Sequence, residues 1–170
     1  MKKAALILLI LIMGAEEIPR VKIGQMIRVG GIEFTPTLVE LRQVKIKKPG
    51  WPTAKAGTSE NYYVVLTFKM ENVTDVQVID PGAVQGKMED QFGNIHKAVK
   101  KEDICQNCDI IEKIDSAELL PGDSLEMIAI FEAPKIKKAE LFTVELSFVK
   151  DNKGETGQVS VLFDRSDIKQ

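Results

Sequence analysis

The sequence predicts an all-β fold, an antiparallel sandwich of about seven to nine short strands. Three observations carry that expectation. Apolar and polar residues alternate in segment after segment, and turn-forming residues punctuate those segments about every 8–12 residues. No stretch beyond the N-terminus shows the apolar period of an amphipathic helix. The 170 residues suit one domain, with a core large enough to need no disulfide. Apolar residues make up 44% and charged residues 28%, which is ordinary for a globular chain.

The clearest element is Asn61 to Asn72. Tyr62, Val64, Leu66, Phe68 and Met70 share one face of an extended strand, and Thr67, Lys69 and Glu71 share the other. Tyr63 and Val65 keep the first half apolar on both sides, so a central position is expected, because an edge strand would carry charge there. Before it, Gln25 to Val29 reads as a short strand ending at Gly30-Gly31, a dipeptide suited to a tight hairpin. Ile32 to Ile46 is strand-like but changes phase. Ile32 and Phe34 share a parity, Val39 and Leu41 take the other, and Val44 and Ile46 return to the first. Pro36 lacks an amide hydrogen and marks a bulge or a crossing between sheets. Pro49 to Glu60 is a loop and carries the only tryptophan, Trp51, which is expected to fold back as a lid on the core or, alternatively, to serve as a binding anchor.

Past the central strand, Val76 to Ile79 is a short extended piece ended by Asp80-Pro81-Gly82. Met88 to Val99 reads as a hairpin around Gln91-Phe92-Gly93-Asn94, with Gly93 in the positive-φ position. Asp103 to Glu118 has no period and holds both cysteines. Leu120-Pro121-Gly122-Asp123 turns into a strand over Ser124 to Glu132. Phe142, Val144, Leu146 and Phe148 mark the next strand, and Val159, Val161 and Phe163 the last, with Asp151 to Gly154 between them. The tail, Asp164 to Gln170, is polar and expected to fray.

The N-terminus has the layout of a secretory signal. Lys2 and Lys3 precede the apolar run Ala4 to Met13, and Gly14, Ala15, Glu16 and Glu17 follow. That run falls short of the roughly 20 residues that span a bilayer. Cleavage is expected after Ala15, although Met13 departs from the small-residue preference, which leaves an uncleaved tether as the alternative. The first cysteine is Cys105, so no lipid-anchor cysteine follows the run. The expected organisation is a signal over 1–15, a linker over 16–22, a sandwich over 23–163 and a tail over 164–170. The location is then extracytoplasmic, with no integral span once the signal is removed. Cleavage removes two of 23 basic residues and none of 25 acids, which leaves −4. That balance argues against nucleic acid or an anionic membrane as partner. The clusters Lys45/Lys47/Lys48, Lys97/Lys100/Lys101 and Lys135/Lys137/Lys138 sit at strand ends and read as solvated termini.

Several of these motifs together resemble a known family. Ile23 to Val29 with Gly30-Gly31-Ile32, Tyr62 to Asn72, Asp90 to Asn94, Leu120 to Asp123 and Phe131 to Pro134 resemble a group of secreted bacterial domains of uncharacterised function. That group is related to the mycobacterial immunoprotective extracellular antigen. The resemblance covers about Ile23 to Phe163. It implies an immunoglobulin-like sandwich outside the cytoplasm and supplies no catalytic residues. The cysteine-bearing insert, Asp103 to Glu118, departs from the family pattern.

Chemistry has few candidates. Cys105-Gln106-Asn107-Cys108 is expected to close as a local disulfide outside the cytoplasm, stabilising by ~2 kcal/mol. A redox pair is disfavoured by the flanking Asp103 and Asp109, which push a thiol pKa up. A metal site would take Cys105, Cys108 and His96 with a carboxylate as fourth ligand. His96 alone reads as a hairpin surface residue. No nucleophile–base motif and no phosphate-cradling glycine loop is present, so no enzyme activity and no cofactor is expected. The function read from the sequence is therefore binding or scaffolding through the end loops, with Trp51 and Tyr62 as contact residues and an unknown protein or cell-envelope component as partner. A metal- or thiol-handling role for the cysteine pair is the alternative.

Overall fold

The second half of the central strand, from Phe68 to Asn72, alternates cleanly, and its first half is apolar on both sides. Such a segment is stable only where both faces are covered. The computed structural model describes residues 17–47, 58–82, 84–100, 103, 118–133 and 139–169, and places this segment there. The strand runs Thr58–Asn72 (β4) and pairs antiparallel with Ile32–Lys47 (β3) and Ser124–Glu132 (β7). Its start at Thr58 takes residues 58–60 out of the expected loop. Val64, Leu66, Phe68 and Met70 are buried in the main core, whereas Tyr63 and Val65 are buried on the opposite face with Val44, Ile128 and Ile130.

The described residues form two sheets and no α-helix. The first sheet holds Arg20–Lys22 (β1), Gln85–Asp90 (β5), Ile95–Lys97 (β6), Leu141–Val149 (β8) and Thr156–Asp164 (β9), in the order β1-β9-β8-β5-β6. The second holds Ile168–Lys169 (β10), β3, β4 and β7 in that order, with Ile27–Val29 (β2) also on β3. Their facing sides interlock through Phe34, which lies 5.0 Å from Phe68 in its own sheet and 5.9 Å from Phe148 in the other. The architecture is thus a β-sandwich. It is antiparallel apart from two short parallel pairings, β1 with β9 and β10 with β3.

Those two pairings are the main departures from expectation. Arg20–Lys22, read as linker, is a strand; Asp164 caps a 3-10 turn over Arg165–Asp167, and the tail, read as frayed, then pairs as β10. Val76 to Ile79 makes only one bridge, Ile79 to Leu119. The phase change around Pro36 is a bulge, not a change of sheet. Pro36 faces Phe68 and Leu38 faces Thr67, which leaves Thr37 as an extra residue. The bulge returns Val39 and Leu41 to the inner face of Ile32 and Phe34, and so sends Val44 outward. The proline costs no ladder bond, because its carbonyl points away from β4 and accepts from the Gly24 amide at 2.7 Å.

Strand edges are handled by chain crossings. Residues 23–26 carry the chain from β1 in the first sheet to β2 in the second, and the 3-10 turn carries it from β9 to β10 along the same side. On the other side, Ala98 bridges Phe131 and the Val99 amide bonds the Ile130 carbonyl at 2.8 Å, so the chain leaving β6 seals part of β7.

Gly30-Gly31 makes the expected two-residue hairpin. Only Gly30 has positive φ (61°), the pattern of a type II′ turn. Gly31 is required for a different reason: a Cβ there would sit 2.6 Å from Thr74 Cγ2 and 2.8 Å from Ile79 Cδ1.

Candidate functional site

The sandwich has two ends. One holds the beginning of the described chain at Glu17, the Gly30-Gly31 turn and the β8–β9 turn, tied together by the Gly31 amide on the Lys150 carbonyl. The other holds the β5–β6 turn and the start of β8, and here the most exposed aromatic side chain among the described residues is presented on a fixed support.

That support is built by two polar side chains. Asp90 ends β5, and its carboxylate accepts from the Phe92 amide (2.9 Å), the Asn94 amide (3.0 Å) and Asn94 Nδ2 (2.9 Å). Gly93 has φ of 79°, as its place in the turn demands. Gln91 then clamps the turn to the neighbouring strand. Its amide donates to the Leu141 carbonyl at 3.0 Å, and its Oε1 accepts from the amides of Glu140 (3.0 Å) and Leu141 (2.9 Å). The turn is therefore held at both ends by buried or doubly bonded groups.

On this support stand Phe92, Ile95 and Leu141, with 62%, 63% and 59% of their surfaces exposed. Ile95 pairs with Glu89 on the outer parity of the sheet, and Leu141 shares that parity two strands away. Tyr62, expected as a contact residue, lies at the same end on β4 and is 57% exposed. Trp51, Cys105 and Cys108 lie outside the described residues, as do the signal segment and most of the cysteine-bearing insert.

His96 corrects the expectation of a surface residue. It pairs with Met88, which is fully buried, so its ring turns inward and Nε2 lies 3.4 Å from Asp90 Oδ2. The phase of a three-residue strand decided this, with Ile95 and Lys97 taking the outer side. A histidine beside a carboxylate invites a catalytic reading, but Asp90 already accepts from the turn, and among the described residues no hydroxyl or thiol is hydrogen-bonded to His96. Nor do the described residues bring three or more metal-ligating side chains together.

The turn is pH-sensitive through Asp90. Its hydrogen bond from the Asn94 side chain, helped by the Asn94 and Phe92 amides and by His96, outweighs desolvation and lowers its pKa from 3.8 to about 2. A carboxyl with a depressed folded pKa stabilises fully above its unfolded value and loses that contribution as pH falls through the folded one. We therefore expect protection of the Phe92 and Asn94 amides against hydrogen exchange to hold at pH 5 and to fall between pH 4 and about 2. In Asp90→Asn that drop should vanish.

A separate cleft of about 510 Å³ lies at the opposite end, lined by Glu17–Pro19 and Thr156–Gln158 together with Val29, Gly30 and Lys150. No ionisable pair spans it among the described residues. Lys150 instead lies 3.6 Å from Glu155.

Phe92, Ile95 and Leu141 were not singled out in the sequence. The one available signal was an aromatic inside an otherwise polar turn, Gln91-Phe92-Gly93-Asn94, where no core position exists for it.

No protein-family model matches the chain, and no curated protein matches it. Solved structures do. The chain is similar to the yjhA protein from Bacillus subtilis, at 15% identity and a TM-score of 0.54, over 82% of this chain and 98% of that one. A conserved hypothetical protein from Bacillus anthracis aligns at 14% identity and a TM-score of 0.47, over 81% and 94% of the two chains. An uncharacterised β-sandwich protein from Clostridium difficile aligns at 16% identity and 0.39, over 88% and 95%. At these identities the likeness to the first is one of fold. Among the described residues no helix is long and apolar enough to cross a membrane.

Proposed function

We propose that this chain is an extracytoplasmic binding module of the immunoglobulin-like type, which recognises a protein or cell-envelope partner through the apolar tip formed by Phe92, Ile95 and Leu141. The single observation that carries the reading is that tip. Large apolar side chains scattered singly over a surface need no explanation, but three at one end of one sheet, on and beside a turn fixed by Asp90 and Gln91, are different. A rigid aromatic anchor loses little conformational freedom on binding, which is what makes such residues effective contacts.

Two further features support the wider reading. The basic, apolar and small-residue run of residues 2–15 favours an address outside the cytoplasm, and the turn motifs favour the antigen-related family. Glu17 lies at the end opposite the tip. Nine residues of β8 separate the two ends by roughly 30 Å, so a chain held at its N-terminus would present the tip outward. The role is binding rather than catalysis, and the Asp90–His96 pair serves the turn.

The test is cross-linking in the native host with the full chain, followed by fractionation. Phe92→Glu should lose the cross-linked partner while its unfolding free energy stays within about 0.5 kcal/mol, because the side chain is exposed. An unchanged yield of the same partner would remove the tip from consideration. Recovery of the chain among cytosolic proteins would remove the location.

A further inference from the structure

We infer that the cleft at the N-terminal end is a strand-addition site, in which an extended peptide segment pairs with the open edge of β9 at Thr156–Gln158. The argument begins with one residue. β1 pairs with β9 in parallel, Arg20 opposite Ser160, and the Ser160 amide donates to the Pro19 carbonyl at 2.9 Å. In a parallel ladder each residue bonds the partners one step before and one step after the residue it faces. Two residues earlier on β9, the Gln158 carbonyl would take its hydrogen from the amide of residue 19. Residue 19 is proline and has none. The ladder ends there.

Past that point the chain stands away from β9, and the cleft of about 510 Å³ opens between Glu17–Pro19 and Thr156–Gln158. Gln158 has the same parity as Ser160, whose amide points toward β1, and it faces Ser147 across β8 as Ser160 faces Glu145. Its N–H and C=O therefore point into the cleft, where no described residue supplies a backbone partner. Residues 23–26 and 165–167 cross between the sheets on this side, and Ala98-Val99 covers part of β7 on the other. Here about 10 Å of edge is left with room beside it, in a volume typical of ligand sites. Unpaired strand groups beside a groove recognise main chain, whatever the side chains attached, and flanking pockets add selectivity. Ile18, Pro19 and Val29 give this groove an apolar lining.

The occupant is accordingly an extended polypeptide of about three residues, bound through backbone hydrogen bonds. The probe is an end-capped tetrapeptide of alternating valine and threonine, titrated into the isotope-labelled full chain, with amide resonances as readout. Saturable shifts are expected at Thr156–Gln158. They should disappear with the same peptide N-methylated on its backbone, which keeps its side chains and loses its donors. Pro19→Ala restores the missing donor, lets residues 17–19 zip onto Gln158, protects the 158 amide from exchange, and weakens the peptide at least about tenfold. Equal shifts with the N-methylated peptide, or none with either, would overturn the assignment. So would undiminished binding to Pro19→Ala once its 158 amide is protected.

Discussion

Asn72→Asp, a substitution that changes one heavy atom, is expected to cost about 3–5 kcal/mol at pH 7. Asn72 ends β4, is fully buried, and uses both ends of its amide. Nδ2 donates to the carbonyls of Gln77 (2.6 Å) and Leu119 (2.8 Å), and Oδ1 accepts from the Thr74 amide (3.0 Å) and hydroxyl (2.7 Å). A carboxylate keeps the second pair and turns the first into two buried contacts between oxygens. Asn72→Ala should cost less, about 2–3 kcal/mol. Both carbonyls still find a donor, the Thr74 hydroxyl freed from Oδ1 for Gln77 and the Ile79 amide for Leu119, and only the Thr74 amide loses its partner. Chemical denaturation measures both. The Asp deficit should shrink as pH falls, because a protonated carboxyl can donate again. An equal cost for the two variants would show that the amide hydrogens are not what matters.

The Asn72 cluster also shows where the sequence stops being informative. The alternation of β4, β8 and β9 was legible because period-2 patterns are local, and the Leu120-Pro121-Gly122 turn because Gly122 must take a positive φ, here 84°. What Asn72 bonds was not legible, since Leu119 is 47 residues away. The terminal strands fail for the same reason. Arg20–Lys22 and Ile168–Lys169 are too short to show a period, and they exist only because β9 and β3 offer them parallel partners. Pro36 announced a break, yet only the register decides that the extra residue, Thr37, restores the face of Val39 and sends Val44 outward. The site divides likewise. The Gln91–Asn94 turn could be read from its glycine, whereas the exposure of Phe92 and the inward turn of His96 depend on how β5 and β6 pair.

Phe34→Ala is expected to cost about 3–5 kcal/mol and to lower the melting temperature by roughly 10 °C for a chain this size. Phe34 is fully buried on β3, two residues before Pro36 and the bulge, and touches both layers of the sandwich. Its ring is tilted 31° against Phe68 and lies within 7° of parallel to Phe148. Removing it therefore takes away contact within one sheet and across to the other, and a cavity left between two hydrogen-bonded sheets collapses poorly. Phe148→Ala, measured alone and combined with Phe34→Ala, separates the two contributions. A coupling of about 0.5–1.5 kcal/mol is expected for a stacked pair, and simple additivity would mean that Phe34 acts within its own sheet. The contrast with Phe92 gives the comparison its force. Both are phenylalanines on well-fixed backbone, but Phe34 joins the two layers, whereas Phe92 can change stability little because its ring contacts mainly water. Phe92 stands on a turn in which the Asp90 carboxylate and Gln91 Oε1 accept five hydrogen bonds. Its removal is therefore expected to leave both that turn and the stability of the chain nearly unchanged, where removal of Phe34 does not.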